Sequence, residues 1–162
     1  SMNSAINHIV FHCGNLKKNE KTLVLFDRST QKLSYLFYKS IKTSTKKIKM
    51  INVGNLKFHG EEVNNDIRKE MCKSKLIFCL TKYSLAHSTA RIQASKKGAR
   101  FLSLPNYSLK FIKNKAIKVN YKKIALRTQK ISKILSRGKK INIISETGTN
   151  LNLLIKNRKA KL

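Results

Sequence analysis

Two apolar runs of five residues decide the fold class, Thr22–Phe26 (TLVLF) and Leu76–Leu80 (LIFCL). All residues of the two runs are apolar except Thr22, which opens the first run, and a lysine precedes each run. A strand that is apolar on both faces is typical of a parallel sheet, because crossover helices cover both sides of such a sheet. The two runs therefore predict two buried, central strands of a parallel sheet.

Helical and strand patterns alternate around these two runs. Helices are predicted at 3–13, 61–73, 84–97 and 120–136. One more helix is predicted to begin after Asp27 to Thr30, whose side chains are typical of helix caps. Further strands are predicted at 47–53, 100–104 and 141–145, and 151–155 is able to pair beside the last of these. This alternation suits right-handed crossovers. It predicts a single α/β domain over residues 1–162, a Rossmann-like open, mostly parallel sheet with helices on both faces.

The last two elements are expected to complete the core. In the segment 120–136 the apolar residues recur at helical spacing, which predicts an inward face made of Ile124, Ile131, Ile134 and Leu135. The segment 141–145 is predicted to be the last buried strand. Glycines at 14 and 138 are expected to end the first and the last helix.

The charge is strongly one-sided, with 36 basic and seven acidic residues and a formal net charge of +29. Such a chain is expected to bind polyanions at low salt. However, 29 of the basic residues are lysine, whereas bidentate phosphate recognition favours arginine. Lys, Asn and Ile make up 61 of the 162 residues, which an AT-rich genome would also produce. Evolved nucleic-acid binding and base composition therefore remain alternative explanations.

The chain lacks the sequence features of a membrane or secreted protein. No apolar run approaches the roughly 18–20 residues that span a bilayer. Residues 9–11 form the only apolar run near the N-terminus and are too short for a signal peptide. The three cysteines form no paired framework, which favours a reducing compartment. We therefore expect a cytoplasmic protein without membrane contact.

In an open parallel sheet, ligands bind at the carboxyl ends of the strands. The positions to inspect are therefore Asp27, 81–86, 104–108 and 145–150. Glycine-rich dinucleotide and phosphate loops are absent, and so is a nucleophile elbow. His8 and His12 have a zinc-compatible spacing but lack the glutamate of a zinc protease, and no metal site is predicted in this chain. Cysteines 72 and 79 are interpreted as buried structural thiols.

Two stretches carry a family resemblance. The first runs from Thr81 to Arg91 (TKYSLAHSTAR) and continues through Gly98-Ala99-Arg100 to Pro105; the second is Glu146 to Leu151 (ETGTNL). Over roughly residues 20–160 their order resembles the N-terminal domain of aminopeptidase T-like metallopeptidases and the related dihydroxypyridine ring-cleaving dioxygenases. Ser88 stands where the family usually has threonine, and Asn150 where it usually has aspartate.

The resemblance implies a role in a two-domain enzyme. The family's divalent metal and its Glu, His and Asp ligands lie in a C-terminal domain that this sequence does not contain. No cofactor is therefore expected in this chain. The implied function is the substrate-cleft and assembly domain of an aminopeptidase T-like metalloenzyme, a hydrolase, that is not catalytic alone. The implied partners are that C-terminal domain or another acidic surface, with a homo-oligomer in the full-length protein.

The resemblance also implies a set of residues that face the substrate. They are Thr81, Ser84, His87, Thr147, Gly148, Thr149 and Asn150. His87 is able to donate to an anionic or carbonyl group, or to bond a nearby backbone carbonyl instead. Ser84 is predicted to cap the helix 84–97. The second group either cradles an anion with free N–H groups or forms a plain turn.

A different class of function stays open beside this one. From Met71 to Ser145 the sequence has nineteen basic residues and no acidic residue. Such a surface suits a basic module that binds nucleic acid or another polyanion, or a domain that docks an acidic protein. The tyrosines are scattered rather than interleaved with the lysines, so base stacking is not indicated.

Overall fold

The computed structural model describes residues 2–161, and the chain forms two compact units, Ser1–Lys118 and Val119–Leu162. The helices are α1 (Met2–Asn7, continued by a π-helical segment at His8–Cys13), α2 (Gln31–Lys42), α3 (Asn65–Lys73), α4 (Thr89–Lys96) and α5 (Tyr121–Arg137). The strands are β1 (Thr22–Phe26), β2 (Ile48–Asn52), β3 (Leu76–Leu80), β4 (Arg100–Ser103), β5 (Lys140–Ile144) and β6 (Asn150–Leu154). That residues 1–162 fold as one domain stays a prediction.

The first unit is built on a four-stranded parallel sheet with the order β2-β1-β3-β4. The two apolar runs lie side by side at its centre, with Thr22 of β1 opposite Leu76 of β3. Helices flank the sheet, so the predicted α/β, Rossmann-like open sheet is confirmed for this unit. Short 3₁₀ turns at Phe111–Lys113 and Lys115–Lys118 end it.

Alternation along the central strands creates two separate cores, because successive side chains point to opposite faces. Val24 and Phe78 pack on one face with residues of α1 and α2, and the rings of Phe78 and Phe37 lie 5.7 Å apart. Leu25 and Ile77 pack on the other face with residues of α3 and α4. The continuous apolar pattern of β1 and β3 follows from this double burial.

The first helix ends at Gly14, as predicted, but for a steric reason. Gly14 has an ordinary φ of −74°, so no left-handed turn requires a glycine. A Cβ atom at this position would lie 2.7 Å from the carbonyl oxygen of Val10 and 2.8 Å from Cζ of Phe78. Glycine is therefore needed because the backbone passes directly over the core.

Four residues other than glycine adopt a left-handed backbone conformation in the described chain. They are Asn15, Asn19, Asn106 and Asn157, with φ between 48° and 64°. Asparagine tolerates this conformation better than other residues with a Cβ, because its short polar side chain bonds locally. The turns of both units thus use asparagine where many proteins use glycine.

The second unit consists of α5 and a two-stranded antiparallel sheet of β5 and β6. The prediction that 141–145 is the last buried strand is wrong, because β5 lies in this two-stranded sheet and only Ile141 of it is half-buried. Lys140 pairs with Leu154 and Ile144 with Asn150, so a short turn closes β5 onto β6 as a hairpin. A hairpin satisfies the backbone of an apolar strand locally, without a place in the larger sheet.

The apolar side chains of this unit are exposed. Ile124, Ile131 and Ile134, which were expected to face inward, are 42%, 56% and 70% exposed, and Leu135 is half-buried. No described residue from 119 to 161 is buried. The predicted inward face of the last helix is therefore wrong for this structure, because helical spacing identifies an apolar stripe but not what covers it.

None of the helices between residues 2 and 161 combines the length and the apolar character that crossing a bilayer requires. The cytoplasmic location stays a prediction.

Candidate functional site

Asp27 joins the two loops that leave the central strands at their carboxyl ends. Its Oδ1 accepts hydrogen bonds from the backbone N–H of Ser29, at 2.9 Å, and from the Ser29 hydroxyl, at 2.5 Å. Its Oδ2 accepts the backbone N–H of Lys82, 55 residues further along the chain, at 2.5 Å. The carboxylate is buried. Asp27 therefore fixes the loop after β1 against the loop after β3.

The side chains that were predicted to cap α2 bind elsewhere. Thr30 occupies the N-cap position but makes no side-chain capping bond. Its Oγ1 instead donates to the carbonyl oxygen of Leu80 at the end of β3. The capping prediction for Asp27 to Thr30 is wrong. The side chains of Asp27 and Thr30 instead hydrogen-bond backbone groups after β1 and at the end of β3.

A cleft of about 610 Å³ opens beside these loops. Arg28 and Lys82 lie on the two loops that Asp27 joins, and Lys57 comes from the loop after β2. All three side chains are exposed. The half-buried ring of Tyr83 lines the cleft. The ring of His59 is nearly perpendicular to it, with the two ring centroids 5.3 Å apart. The cleft is therefore basic at its rim and aromatic on one wall.

Thr81 and Ser84, two of the predicted substrate-facing residues, use their polar atoms within the protein. Thr81 Oγ1 donates to the carbonyl oxygen of Tyr83 at 2.5 Å. Ser84 Oγ lies 2.8 Å from Ser103 Oγ, and the backbone N–H of Ser84 donates to Nδ1 of His59 at 3.0 Å. Because His59 bonds the backbone and not the hydroxyl, this arrangement does not activate Ser84 as a nucleophile. These contacts hold the loops after β2, β3 and β4 together.

Helix α4 begins later than predicted, and Ser88 rather than Ser84 is its N-cap. Ser88 Oγ accepts the N–H of Arg91 at 3.2 Å. The carboxylate of Glu62, from the loop before α3, accepts the N–H groups of Thr89 and Ala90. Burial raises the pKa of Glu62, but these hydrogen bonds outweigh that effect and hold its pKa below the usual value. The predicted cap at Ser84 is therefore wrong.

His87 lies on the exposed turn just before this cap. Like Thr81 and Ser84, it follows β3 at the carboxyl edge of the sheet. A Cβ atom at Gly60 would come within 3.7 Å of the Cβ of His87, so the loop after β2 passes close by. The role of His87 toward a substrate stays a prediction.

Residues Thr147 to Asn150 belong to the second unit and close its hairpin. Gly148 has a φ of 102°, and Asn150 opens β6. The N–H of Gly148 donates to the carbonyl oxygen of Ser145 at 3.1 Å, and the N–H of Thr149 donates to Ser145 Oγ at 3.2 Å. These two N–H groups are therefore used within the turn, and a substrate-facing role for the turn stays a prediction.

The described residues do not bring together a metal-binding set. Between positions 2 and 161 no three His, Cys, Asp or Glu side chains converge. His8 and His12 stack at 4.5 Å within the first helix. Burial raises the pKa of the Cys79 thiol to about 11, so it stays protonated at neutral pH. Cys72 is half-buried and Cys13 is exposed.

Three residues that shape this edge, Lys57, His59 and Glu62, were not predicted from the sequence. All three lie in the segment between β2 and α3. The only available signal was their position after a strand's carboxyl end, because the partners of His59 and Glu62 are 25 and 27 residues away in sequence.

Comparison with known proteins identifies a similar fold. Neither a family model nor a curated protein matches the sequence. Among solved structures, 2,5-dihydroxypyridine dioxygenase from Pseudomonas putida KT2440 is similar, with a TM-score of 0.63 and 12% sequence identity. The match covers 94% of this chain and 46% of that chain, so this chain spans about half the length of the dioxygenase. The chain therefore has a fold similar to part of a dioxygenase chain.

Proposed function

We propose that this chain is the N-terminal, substrate-cleft and assembly half of a two-part, aminopeptidase T-like metalloenzyme whose metal centre lies in another domain. The observation that carries the proposal is the extent of the structural likeness, which includes 94% of this chain but only 46% of a dioxygenase chain. The sequence motifs around His87 and Asn150, which resemble those of the aminopeptidase T-like group, support the same assignment.

The exposed side chains of residues 119–161 support a role in assembly. A helix and a two-stranded sheet without buried side chains have little intrinsic stability in water. This segment exposes apolar side chains such as Ile134 and Leu154, at 70% and 73%. From residue 119 to 162 there are twelve basic residues and one acidic residue. An acidic partner surface, as expected for the metal-binding half, fits the basic charge, and the exposed apolar side chains require that this surface also have an apolar centre.

The proposal divides the chemistry between the two halves. The metal and its Glu, His and Asp ligands are assigned to the other half, as the family resemblance implies. In this half, His87 supplies an exposed imidazole that is able to hydrogen-bond a carbonyl or carboxylate group of the substrate. The resemblance assigns a substrate-facing role in the assembled enzyme to Thr81 and Ser84 of the first unit and to the turn of Thr147 to Asn150 of the second.

The test uses the complete product of the gene that encodes this chain. Its bound metal is measured, together with hydrolysis of aminoacyl anilides and oxygen uptake with 2,5-dihydroxypyridine. We expect one divalent-metal-dependent activity, absent from residues 1–162 alone. His87→Ala should lower kcat/KM at least about tenfold, while His12→Ala, in the first helix, should not. A metal-free product inactive on both substrates would overturn the proposal, and equal effects of the two variants would remove His87 from it.

The assembly role has a separate test. Light scattering is expected to give the complete product as a homo-oligomer, and Ile134→Glu should reduce its mass or separate its halves. The matched control is Ile92→Glu, at an isoleucine of α4 that is 39% exposed in the first unit. An unchanged assembly in Ile134→Glu would contradict the proposed surface.

The charge distribution favours one alternative function, a basic module that binds nucleic acid or another polyanion. The stretch from Met71 to Ser145, with its nineteen basic residues and no acidic residue, is the observation behind it. Its test is the salt dependence of nucleic-acid binding, because delocalised attraction to lysines fades steeply with salt.

A further inference from the structure

The cleft beside Asp27 lies at the point where the chain reverses its direction across the sheet. From β1 the chain crosses to β2 on one side, and it then returns to form β3 on the other side of β1. The loops that follow β1 and β3 therefore diverge and leave a crevice at the carboxyl edge. In open α/β sheets such crevices are the usual place for ligands. The cleft of about 610 Å³ occupies this place.

Three cations surround the cleft without an acidic partner. Arg28, Lys57 and Lys82 come from the loops after β1, β2 and β3 respectively. The ion pairs found among residues 2–161 involve none of the three. Because residues with three positive charges line the cleft from three loops, it attracts an anion more strongly than a single surface lysine does.

Two carboxylates lie near these cations: Glu61 accepts the backbone N–H of Lys57 without lining the cleft, and Asp27 lines the cleft but does not cancel this attraction. Its two oxygens accept hydrogen bonds from the N–H and hydroxyl of Ser29 and from the N–H of Lys82. These bonds disperse its charge and fix the backbone on which Arg28 and Lys82 stand. Asp27 is thus a positioning residue, and the loops that carry two of the cations are held in place before any ligand arrives.

The wall of the cleft is suited to a ring. Tyr83 and Leu56 line it and are both half-buried. The Tyr83 ring is held by the edge of His59 and by the Lys82 ammonium, which lies 5.4 Å from the ring centroid. A planar ligand can stack on or pack against such a fixed aromatic face.

We infer that this cleft binds a small phosphorylated compound with an aromatic ring. The phosphate interacts with Arg28, Lys57 and Lys82, and the ring packs against Tyr83 and Leu56. A phosphate dianion matches three converging cations better than a carboxylate does. This inference does not depend on the proposed enzyme role, because the cleft lies wholly within the first unit.

The experiment titrates residues 1–162 with phenyl phosphate, and with inorganic phosphate alone, at about 0.15 M salt to screen diffuse attraction. Backbone amide NMR shifts report the binding. We expect saturable binding of phenyl phosphate, tighter than that of inorganic phosphate, with shifts centred on Ser29, Lys82 and Tyr83. Lys82→Gln should weaken the binding about tenfold, as loss of one charged hydrogen bond predicts.

Two further variants separate the cleft from the general surface charge. Lys97→Gln removes an exposed lysine after α4 and should leave the affinity unchanged. Tyr83→Leu should reduce the preference for phenyl phosphate over inorganic phosphate and leave phosphate binding itself intact. Equal effects of Lys82→Gln and Lys97→Gln, or shifts spread over all lysine-rich surfaces without saturation, would overturn the inference. Amide spectra of each variant establish that it is folded.

Discussion

The guanidinium of Arg100 holds the carboxylate of Glu20 in a two-pronged ion pair. Nη1 lies 2.9 Å from Oε1 and Nη2 lies 2.8 Å from Oε2. Arg100 also donates from Nε and Nη2 to the carbonyl oxygen of Gly14, at 3.3 Å and 3.2 Å. The start of β4 is thus tied to the segment between the first helix and β1. The arginine of the Gly-Ala-Arg stretch therefore has a structural role in this chain.

This ion pair predicts a dependence of stability on pH. Burial raises the pKa of Glu20, but the hydrogen bonds from Arg100 and from the backbone N–H of Lys17, together with the charges of both residues, outweigh it and hold the pKa below its usual value. The resulting stabilisation is present above the unfolded-state pKa of about 4.3 and is lost as pH falls through the lower native-state value.

Glu20→Gln should therefore lower the free energy of unfolding at pH 7 by about 1 kcal/mol, a modest value because Arg100 is partly exposed to solvent. The difference from the unmodified chain should shrink toward about pH 3, measured by denaturant unfolding. Glu146→Gln, at an exposed position, is the control. A difference that stayed constant down to about pH 3 would show that the ion pair is not its cause.

A second prediction concerns the glycine over the core. Gly14→Ala should destabilise the chain by about 1–3 kcal/mol, because the new methyl group meets the Val10 carbonyl and the Phe78 ring. Gly98→Ala is the comparison: it has open space but a φ of 87°, and should cost about 1 kcal/mol through backbone strain alone.

Replacing Phe78 with a smaller side chain separates the steric cost at position 14 from the backbone strain at position 98. Phe78→Leu should reduce the extra cost of Gly14→Ala in a double-mutant cycle and leave that of Gly98→Ala unchanged. Additive effects at positions 14 and 78 would show that the Phe78 ring does not contribute to the cost of Gly14→Ala.

A third prediction follows from the start of α4. Ser88→Ala removes the hydroxyl that accepts the N–H of Arg91, and should cost about 1 kcal/mol in the free energy of unfolding. Ser95→Ala, inside the same helix, should be neutral or slightly stabilising, because alanine is the better helix former. Thermal unfolding of both variants provides the measurement. Equal melting temperatures would contradict the cap assignment.

A fourth prediction separates delocalised charge from evolved polyanion binding. Fluorescence anisotropy with a labelled DNA duplex should detect binding at about 50 mM salt that is largely lost by about 200 mM. Binding that persisted at the higher concentration, with a preference among sequences, would favour the nucleic-acid function over the enzyme role.

The central strands could be predicted from sequence to the residue, because burial on both faces leaves an uninterrupted apolar run. The bounds of β1 and β3 agree with the predicted segments, and β2, predicted at 47–53, forms at Ile48–Asn52. The helix predicted at 84–97 begins five residues later. Its start is set by Ser88 together with Glu62, and a contact across 27 residues leaves no local trace in the sequence.

The prediction for the segment that forms the hairpin was wrong for a different reason. An apolar strand in a central sheet and an apolar strand that exposes its side chains have the same local pattern, so Lys140–Ile144 was indistinguishable from a buried strand. The cleft was predictable in position only. Parallel topology indicates the edge of the sheet, whereas the approach of Lys57 and His59 depends on how one irregular loop folds.

The four asparagines with a left-handed backbone conformation are positions where the stability of the turns can be increased. A Cβ atom makes that conformation costly, and glycine adopts it freely. Exchanging Asn106 for glycine would relieve this local strain without disturbing the two cores, and the same holds at positions 19 and 157, whereas at position 15 it would also remove the side-chain hydrogen bond from Lys17. The chain has six glycines in 162 residues. Additional glycines at turns with positive φ should therefore increase its stability.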